Sequence, residues 1–249
     1  MRKVLQLYGE RIMVRCPSKG LEAVRSEISA YLARSRGIHI KPSQVIIGSG
    51  AEYLYGMVAQ LLGTKEVIAL EDPSYEKIGQ VYQSLGITIE KVKLKADGLD
   101  MKALEKTSAK VLHVTPFHSY PSGITAGISK KRAYLNWAKA QGAFIIEDNY
   151  DSELTVSSKP EEPLFSMTDS GNVIYLNTFS RTIGRAMRMG YMVLPETLEK
   201  AFEEKLGFYT CPVPVFEQYV LYELLRNGDY ERHINRVRRL RRKDLEKQN

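Results

Sequence analysis

Two cysteines, a single tryptophan and no long apolar run are what this sequence has little of. Cys16 and Cys211 lie far apart and belong to no Cys-x-x-Cys pairing. That spacing speaks against a disulfide framework and against a zinc site, and for a reducing compartment. No apolar stretch approaches the roughly 18 residues that span a bilayer. The opening segment MRKVLQLYGERIMVRC is broken by Glu10 and Arg11, unlike a signal peptide. The expectation is a cytoplasmic chain with no membrane partner and no metal. Internal repeats, low-complexity tracts and Pro/Gly-rich linkers are missing too.

What is present is ordinary for a globular protein: 249 residues, 43% hydrophobic and 26% charged, enough for one large core or two modest ones. The net charge of +7 is concentrated near the C-terminus, in Arg232, Arg236, Arg238, Arg239, Arg241, Arg242 and Lys243. Such a run can be a nucleic-acid footprint. It also fits a solvated helix whose buried stripe is Ile234, Val237 and Leu240. No recognised nucleic-acid motif accompanies it, which favours the helix.

Apolar runs without alternation at 67–70, 111–114, 144–146, 173–176 and 190–194 read as strands buried on both faces. Helical patterns fall between them, at 52–62, 75–85 and 196–206, and in a segment N-capped by Ser129 and stopped by Gly142. Strand–helix alternation implies a three-layer α/β fold, a mostly parallel sheet with helices on both faces. Leu21, Val24, Ile28 and Leu32 form an amphipathic helix closed by Gly37, and from Val215 onward the pattern is almost wholly helical, broken near Asn227-Gly228. The expected division is an N-terminal helical segment (1–40), a large domain (41–210) and C-terminal helices (211–249).

In open α/β sheets ligands gather at the carboxyl ends of strands, and four clusters fall there. Ile46-Ile47-Gly48-Ser49-Gly50-Ala51-Glu52 is a small-residue turn opening a helix, suited to an anion or simply to tight packing. In Glu71-Asp72-Pro73-Ser74-Tyr75, the tyrosine can stack on a flat ligand or be an ordinary core or surface residue. Ile145-Ile146-Glu147-Asp148-Asn149-Tyr150-Asp151 brings an anion and a phenol together, or merely caps a loop with Asp148. In the stretch 177–190, Thr178, Ser180 and Arg188 suit a phosphate, while Arg185 reads as a surface arginine.

Taken together, the clusters resemble the fold-type-I pyridoxal-phosphate (PLP) superfamily, the aspartate aminotransferase fold. They are most similar to the aminotransferase-like domain of MocR-type regulators in the GntR superfamily, over about residues 20–242. The resemblance implies that Gly50, Ala51, Glu52, Thr178, Ser180 and Arg188 hold the cofactor phosphate and that Tyr75 covers the ring. It further implies Asp148 at the pyridinium nitrogen and Tyr150 at the ring oxygen. His118-Ser119-Tyr120-Pro121-Ser122-Gly123 looks like the His-x-x-Pro-[ST]-Gly turn beneath the cofactor, which brings in His118. A carboxylate at the ring nitrogen keeps it protonated and makes the ring an electron sink.

Two departures stand against these matches. The family reads Thr-Phe-Ser-Lys where this chain reads Thr178-Phe179-Ser180-Arg181, and that lysine carries the Schiff base. A guanidinium stays protonated and forms no such bond. The second departure is length. The family's helix-turn-helix and small domain, with its substrate-binding arginine, have no counterpart in these residues, as expected of the core of a longer protein or of a truncation. The implied function is a module, cofactor- or effector-sensing or catalytically impaired, that binds PLP without a covalent link and takes an amino-acid effector. It is expected to form a homodimer and to meet DNA only through a helix-turn-helix outside this chain. The alternative is an active aminotransferase acting on amino acids, which intact Asp148, Tyr150 and Arg188 favour and Arg181 opposes.

Overall fold

The computed structural model describes residues 2–155, 162–168, 171–184 and 186–248 of the chain. Arg185 lies outside the described residues. The helices are α1 (Arg2–Tyr8), α2 (Glu22–Arg36), α3 (Ala51–Leu62), α4 (Glu76–Ser84), α5 (Met101–Leu104), α6 (Ile128–Gln141), α7 (Glu196–Leu206), α8 (Val215–Arg226) and α9 (Asp229–Gln248). The strands are β1 (Val45–Gly48), β2 (Ile68–Asp72), β3 (Ile89–Lys95), β4 (Gly98–Leu99), β5 (Val111–Val114), β6 (Phe144–Asp148), β7 (Val173–Thr178) and β8 (Gly190–Val193). They form one sheet in the order β1-β8-β7-β6-β5-β2-β3-β4. The run β7-β6-β5-β2-β3 is parallel, whereas β8 is antiparallel to both β7 and β1. The three-layer, mostly parallel α/β sandwich expected from the sequence is therefore present.

Alternate residues of the interior strands feed opposite faces. Val45, Ile47, Tyr175, Tyr191 and Val193 pack under α2 and α8. Ile46, Ile174, Leu176 and Met192 pack under α3, α4 and α7. Farther along the first face, Leu112, Val114 and Ile145 meet Tyr134, Trp137 and Ala138 of α6. Helix α2 ends as its sequence indicates, with Gly37 left-handed at φ 66° and its N–H bonded to Leu32 O. Among the described residues no helix is long and apolar enough to cross a membrane.

Several local expectations change. Helix α6 starts at Ile128 with Gly127 as N-cap, so Ser129 sits inside the first turn rather than capping it. Strand β1 went unpredicted because Val45-Ile46-Ile47 is too short to show a period. Strands β3 and β4 were missed because β3 is half-exposed and carries lysines. In α9, Ile234 is buried and Val237 partly so, but Leu240 is 56% exposed. At that level the helix is held by polar anchors instead: Arg238 Nε donates to Glu153 O at 2.7 Å and Arg241 to Leu154 O at 3.4 Å.

Candidate cofactor site

Because β1 runs in the same direction as β7, the carboxyl ends of β1, β2, β5, β6 and β7 share one edge of the sheet, together with the amino end of β8. Every site residue singled out in the sequence lies on this edge. Gly50, Ala51 and Glu52 follow β1, Tyr75 follows β2, and His118 follows β5. Asp148 closes β6 and Tyr150 follows it; Thr178 closes β7, followed by Ser180 and Arg181; Arg188 precedes β8. The topology thus gathers residues spread over about 140 positions of sequence.

At one end, Gly50 is the N-cap of α3, with φ 104°, and has no side chain to cap the N–H groups of the first turn. A Cβ at Gly50 would stand 2.9 Å from Arg188 NH2. Only glycine both adopts this backbone and admits the guanidinium. Arg188 pairs with Glu52 Oε2 at 2.8 Å, and Lys77 stands 3.4 Å from Glu52 Oε1. Burial pushes the Glu52 carboxyl up, but its own backbone amide, Arg188 and Lys77 outweigh that and leave it lowered. An anion arriving at the helix terminus would find a half-exposed guanidinium able to exchange Glu52 for it. Ser180 Oγ donates to Met187 O at 3.0 Å, closing the loop that carries Arg188, and Thr178 lies opposite Gly190 in the ladder.

At the other end, Asp148 is 3% exposed. Its Oδ2 accepts the Tyr55 hydroxyl at 2.5 Å and lies 3.7 Å from His113 Nε2. His113 Nδ1 is 2.7 Å from the Tyr82 hydroxyl, and its Nε2 is buried without a hydrogen-bond partner. A hydrogen on Nε2 facing the carboxylate makes Nδ1 the acceptor and Tyr82 the donor. Burial first, then the Asp148 charge, drives both phenols well above their ordinary range, so they remain donors. Tyr75 caps α4 and meets Tyr120 edge-on at 6.1 Å.

The Arg181 guanidinium turns to Asp151, with NH2 at 3.2 Å from Oδ1, and lies 5.6 Å over the Tyr150 ring. Asp151 is 5% exposed and also faces His118 Nδ1 at 3.4 Å and Arg241 at 3.8 Å. The Tyr150 hydroxyl donates to His118 O at 2.9 Å, and burial followed by the Asp151 charge pushes it to about 12. Beneath the same turn, Ser119 Oγ donates to buried Glu71 at 2.8 Å, and burial pushes that carboxyl to about 8.

Sequence reasoning missed Tyr55, Tyr82, His113, Asp151 and the buried role of Glu71. His113 had a usable signal, a polar residue inside the apolar run Val111–Val114. The tyrosines had none, since an aromatic on a helix's apolar face reads as core. Asp151 was overshadowed by Asp148 and Tyr150 beside it. Among the described residues no group of three or more His, Cys, Asp or Glu side chains is placed to hold a metal.

One edge of the sheet thus carries a glycine-capped helix N-terminus beside a guanidinium at one end and a buried, hydrogen-bonded carboxylate at the other. The model of the aminotransferase class I and II family matches residues 5–244, and the chain belongs to that family. It is 32% identical to the "Uncharacterized HTH-type transcriptional regulator YdeL" of Bacillus subtilis, covering 96% of this chain and 52% of that protein. It is 31% identical to the "HTH-type pyridoxine biosynthesis transcriptional regulator PdxR" of Corynebacterium glutamicum, covering 91% and 49%. The chain therefore spans about half the length of these relatives. Among solved structures, Pyrococcus horikoshii kynurenine aminotransferase superposes with a TM-score of 0.86 at 24% identity, covering 96% of this chain and 61% of that one. An archaeal alanine:glyoxylate aminotransferase gives 0.84 at 24% identity, with 93% and 60% covered. The chain is an aminotransferase-like domain related to MocR-type regulators.

Proposed function

We propose that this domain binds pyridoxal 5'-phosphate without a covalent link and serves a regulator as a sensing, rather than a catalytic, module. The observation that carries the reading is Arg181. A guanidinium occupies the family's lysine position and is committed to Asp151 and the Tyr150 face. The remaining cradle fits the group. Gly50 leaves room that a Cβ would fill, and Arg188 stands beside the α3 terminus to receive the phosphate along with Ala51, Thr178 and Ser180. Asp148 would accept a protonated ring nitrogen, with Tyr75 and His118 lining the ring and Tyr150 near its oxygen. When bound, PLP supplies an electron sink for amino-acid chemistry. Here the chain's own residues bind and orient it, while the Tyr55 hydroxyl holds Asp148 in place. Charge-assisted contacts at both ends support an affinity on the order of micromolar.

The finer features belong to the same reading. Residues 41–210 form the cofactor-holding part, between the helical segments 1–40 and 211–249. An amino acid is the effector, and the relatives' HTH-type names support DNA contact through a helix-turn-helix domain. The module works in the cytoplasm as a homodimer; exposed Met13 and Phe208 offer apolar surface to a partner copy. The test is equilibrium dialysis of the folded chain against PLP. Retention at tens of micromolar, without a borohydride-fixed adduct, supports the proposal, and absence of retention refutes it.

A further inference from the structure

Cys16 and Cys211, remote in sequence, meet in the fold. The Gln218 carboxamide nitrogen lies 3.0 Å from Cys16 Sγ and 3.7 Å from Cys211 Sγ, so the two sulfurs bracket one NH2 group. That carboxamide is fixed at both ends: Nε2 donates to Val213 O at 2.8 Å and Oε1 accepts from Leu21 N at 2.8 Å. Gln218 is fully buried, and both cysteines are free thiols, 7% and 5% exposed. Cys211 also donates to Ile47 O at 3.4 Å, in the strand that leads into Gly48-Ser49-Gly50. Their separation in sequence speaks against a disulfide, but the packing of the segments ahead of α2 and α8 brings them to one carboxamide.

The two thiols differ in character. Interaction with the neighbouring Cys211 thiol lowers Cys16 to about 7, aided by Gln218, the Leu21 amide ahead of α2 and Arg25, against the opposing effect of burial. Cys211 is driven up by its bond to Cys16 and by burial. Both shifts run in the direction that favours the thiolate at Cys16 and the protonated thiol at Cys211.

We infer that Cys16 and Cys211 are a redox-responsive pair that a hydroperoxide converts into an intramolecular disulfide, tying the segment ahead of α2 to the segment ahead of α8. In the first step the Cys16 thiolate attacks a peroxide oxygen; the O–O bond breaks, hydroxide leaves and a sulfenic acid forms. In the second, the Cys211 sulfur attacks the Cys16 sulfur, the S–O bond breaks, and the departing hydroxide takes up the Cys211 proton as water. Two thiols and one hydrogen peroxide give one disulfide and two waters; sulfur is oxidised and peroxide oxygen reduced. The disulfide removes the thiol that donates to Ile47 O, which links the thiol pair to the strand beneath the phosphate turn. The inference is independent of whether PLP binds.

The experiment treats the reduced, folded full chain with stoichiometric hydrogen peroxide, alkylates the remaining thiols and maps tryptic peptides with and without reductant. The expected product links peptides 16–19 and 206–226, lighter by two hydrogens and reversed by dithiothreitol. With Cys211→Ser, Cys16 should be trapped by dimedone as the sulfenic acid; with Cys16→Ser, Cys211 should stay alkylatable. Wild-type protein whose two thiols both remain alkylatable overturns the inference. So does protein that forms only intermolecular disulfides, or one in which Cys16 proceeds to sulfinic acid while Cys211 stays free. These outcomes are read on the wild type, so misfolding of either variant leaves the test intact.

Discussion

Replacing Glu71 by glutamine isolates the cost of one buried carboxyl. Glu71 is 3% exposed, its Oε2 accepts the Ser119 hydroxyl, and burial moves its pKa from 4.5 to about 8. In the unfolded chain the group ionises near 4.5. Below that pH both states hold the proton and stability is unaffected by it. Between 4.5 and 8 the folded state keeps a proton that the unfolded state releases, so raising the pH favours unfolding. Above 8 the full penalty is present, roughly 5 kcal/mol from the size of the shift at about 1.4 kcal/mol per unit. Glutamine preserves an oxygen to accept from Ser119 and removes the charge. Glu71→Gln should therefore match wild type near pH 5 and exceed it by several kcal/mol near pH 8. Urea unfolding at fixed salt from pH 5 to 9 measures this directly. Parallel pH profiles for wild type and variant would refute the argument, because the titrating group would then lie elsewhere.

Other perturbations address the cradle and the assembly. Arg188→Gln removes a charge-assisted phosphate contact worth about 1.5–3 kcal/mol and should weaken PLP retention roughly 10- to 100-fold in dialysis, with unfolding little changed. Gly50→Ala places a Cβ 2.9 Å from Arg188 at φ 104°; it should cost about 1–2 kcal/mol of stability in denaturant titration and lower PLP affinity as well. Sedimentation over a wide concentration range should show self-association, and a clean monomer throughout would contradict the proposed homodimer.

Much of this architecture was legible before any coordinates. Residues 111–114, 144–146 and 173–176 are continuous apolar runs because parallel strands are covered on both faces, and α2 declares its end through Gly37. The four clusters were visible because their polar and small residues sit immediately after strands, where the chain leaves the sheet. What stayed hidden depends on contacts between distant segments. Tyr55 and Tyr82 look like core aromatics until Asp148 and His113 are placed beside them. Asp151 acquires meaning only when His118, Arg181 and Arg241 converge on it. Cys16 and Cys211 carry no local pattern at all, because Gln218 from a third segment brings them together. Leu240 failed as a buried position because Arg238 and Arg241 anchor that turn of α9 through loop carbonyls, a preference that helical periodicity does not encode.

In the proposed reading, the sheet edge is a PLP cradle whose covalent anchor position is residue 181. Substituting Arg181→Lys puts a primary amine there, beside Asp151 and the Tyr150 ring. The decisive measurement adds PLP to wild type and to Arg181→Lys, reduces both with borohydride, and locates pyridoxyl adducts by peptide mass spectrometry. We expect an adduct at position 181 in the variant and no specific adduct in wild type. A folded variant with no adduct at position 181, or a wild type modified specifically at another lysine, would contradict the account.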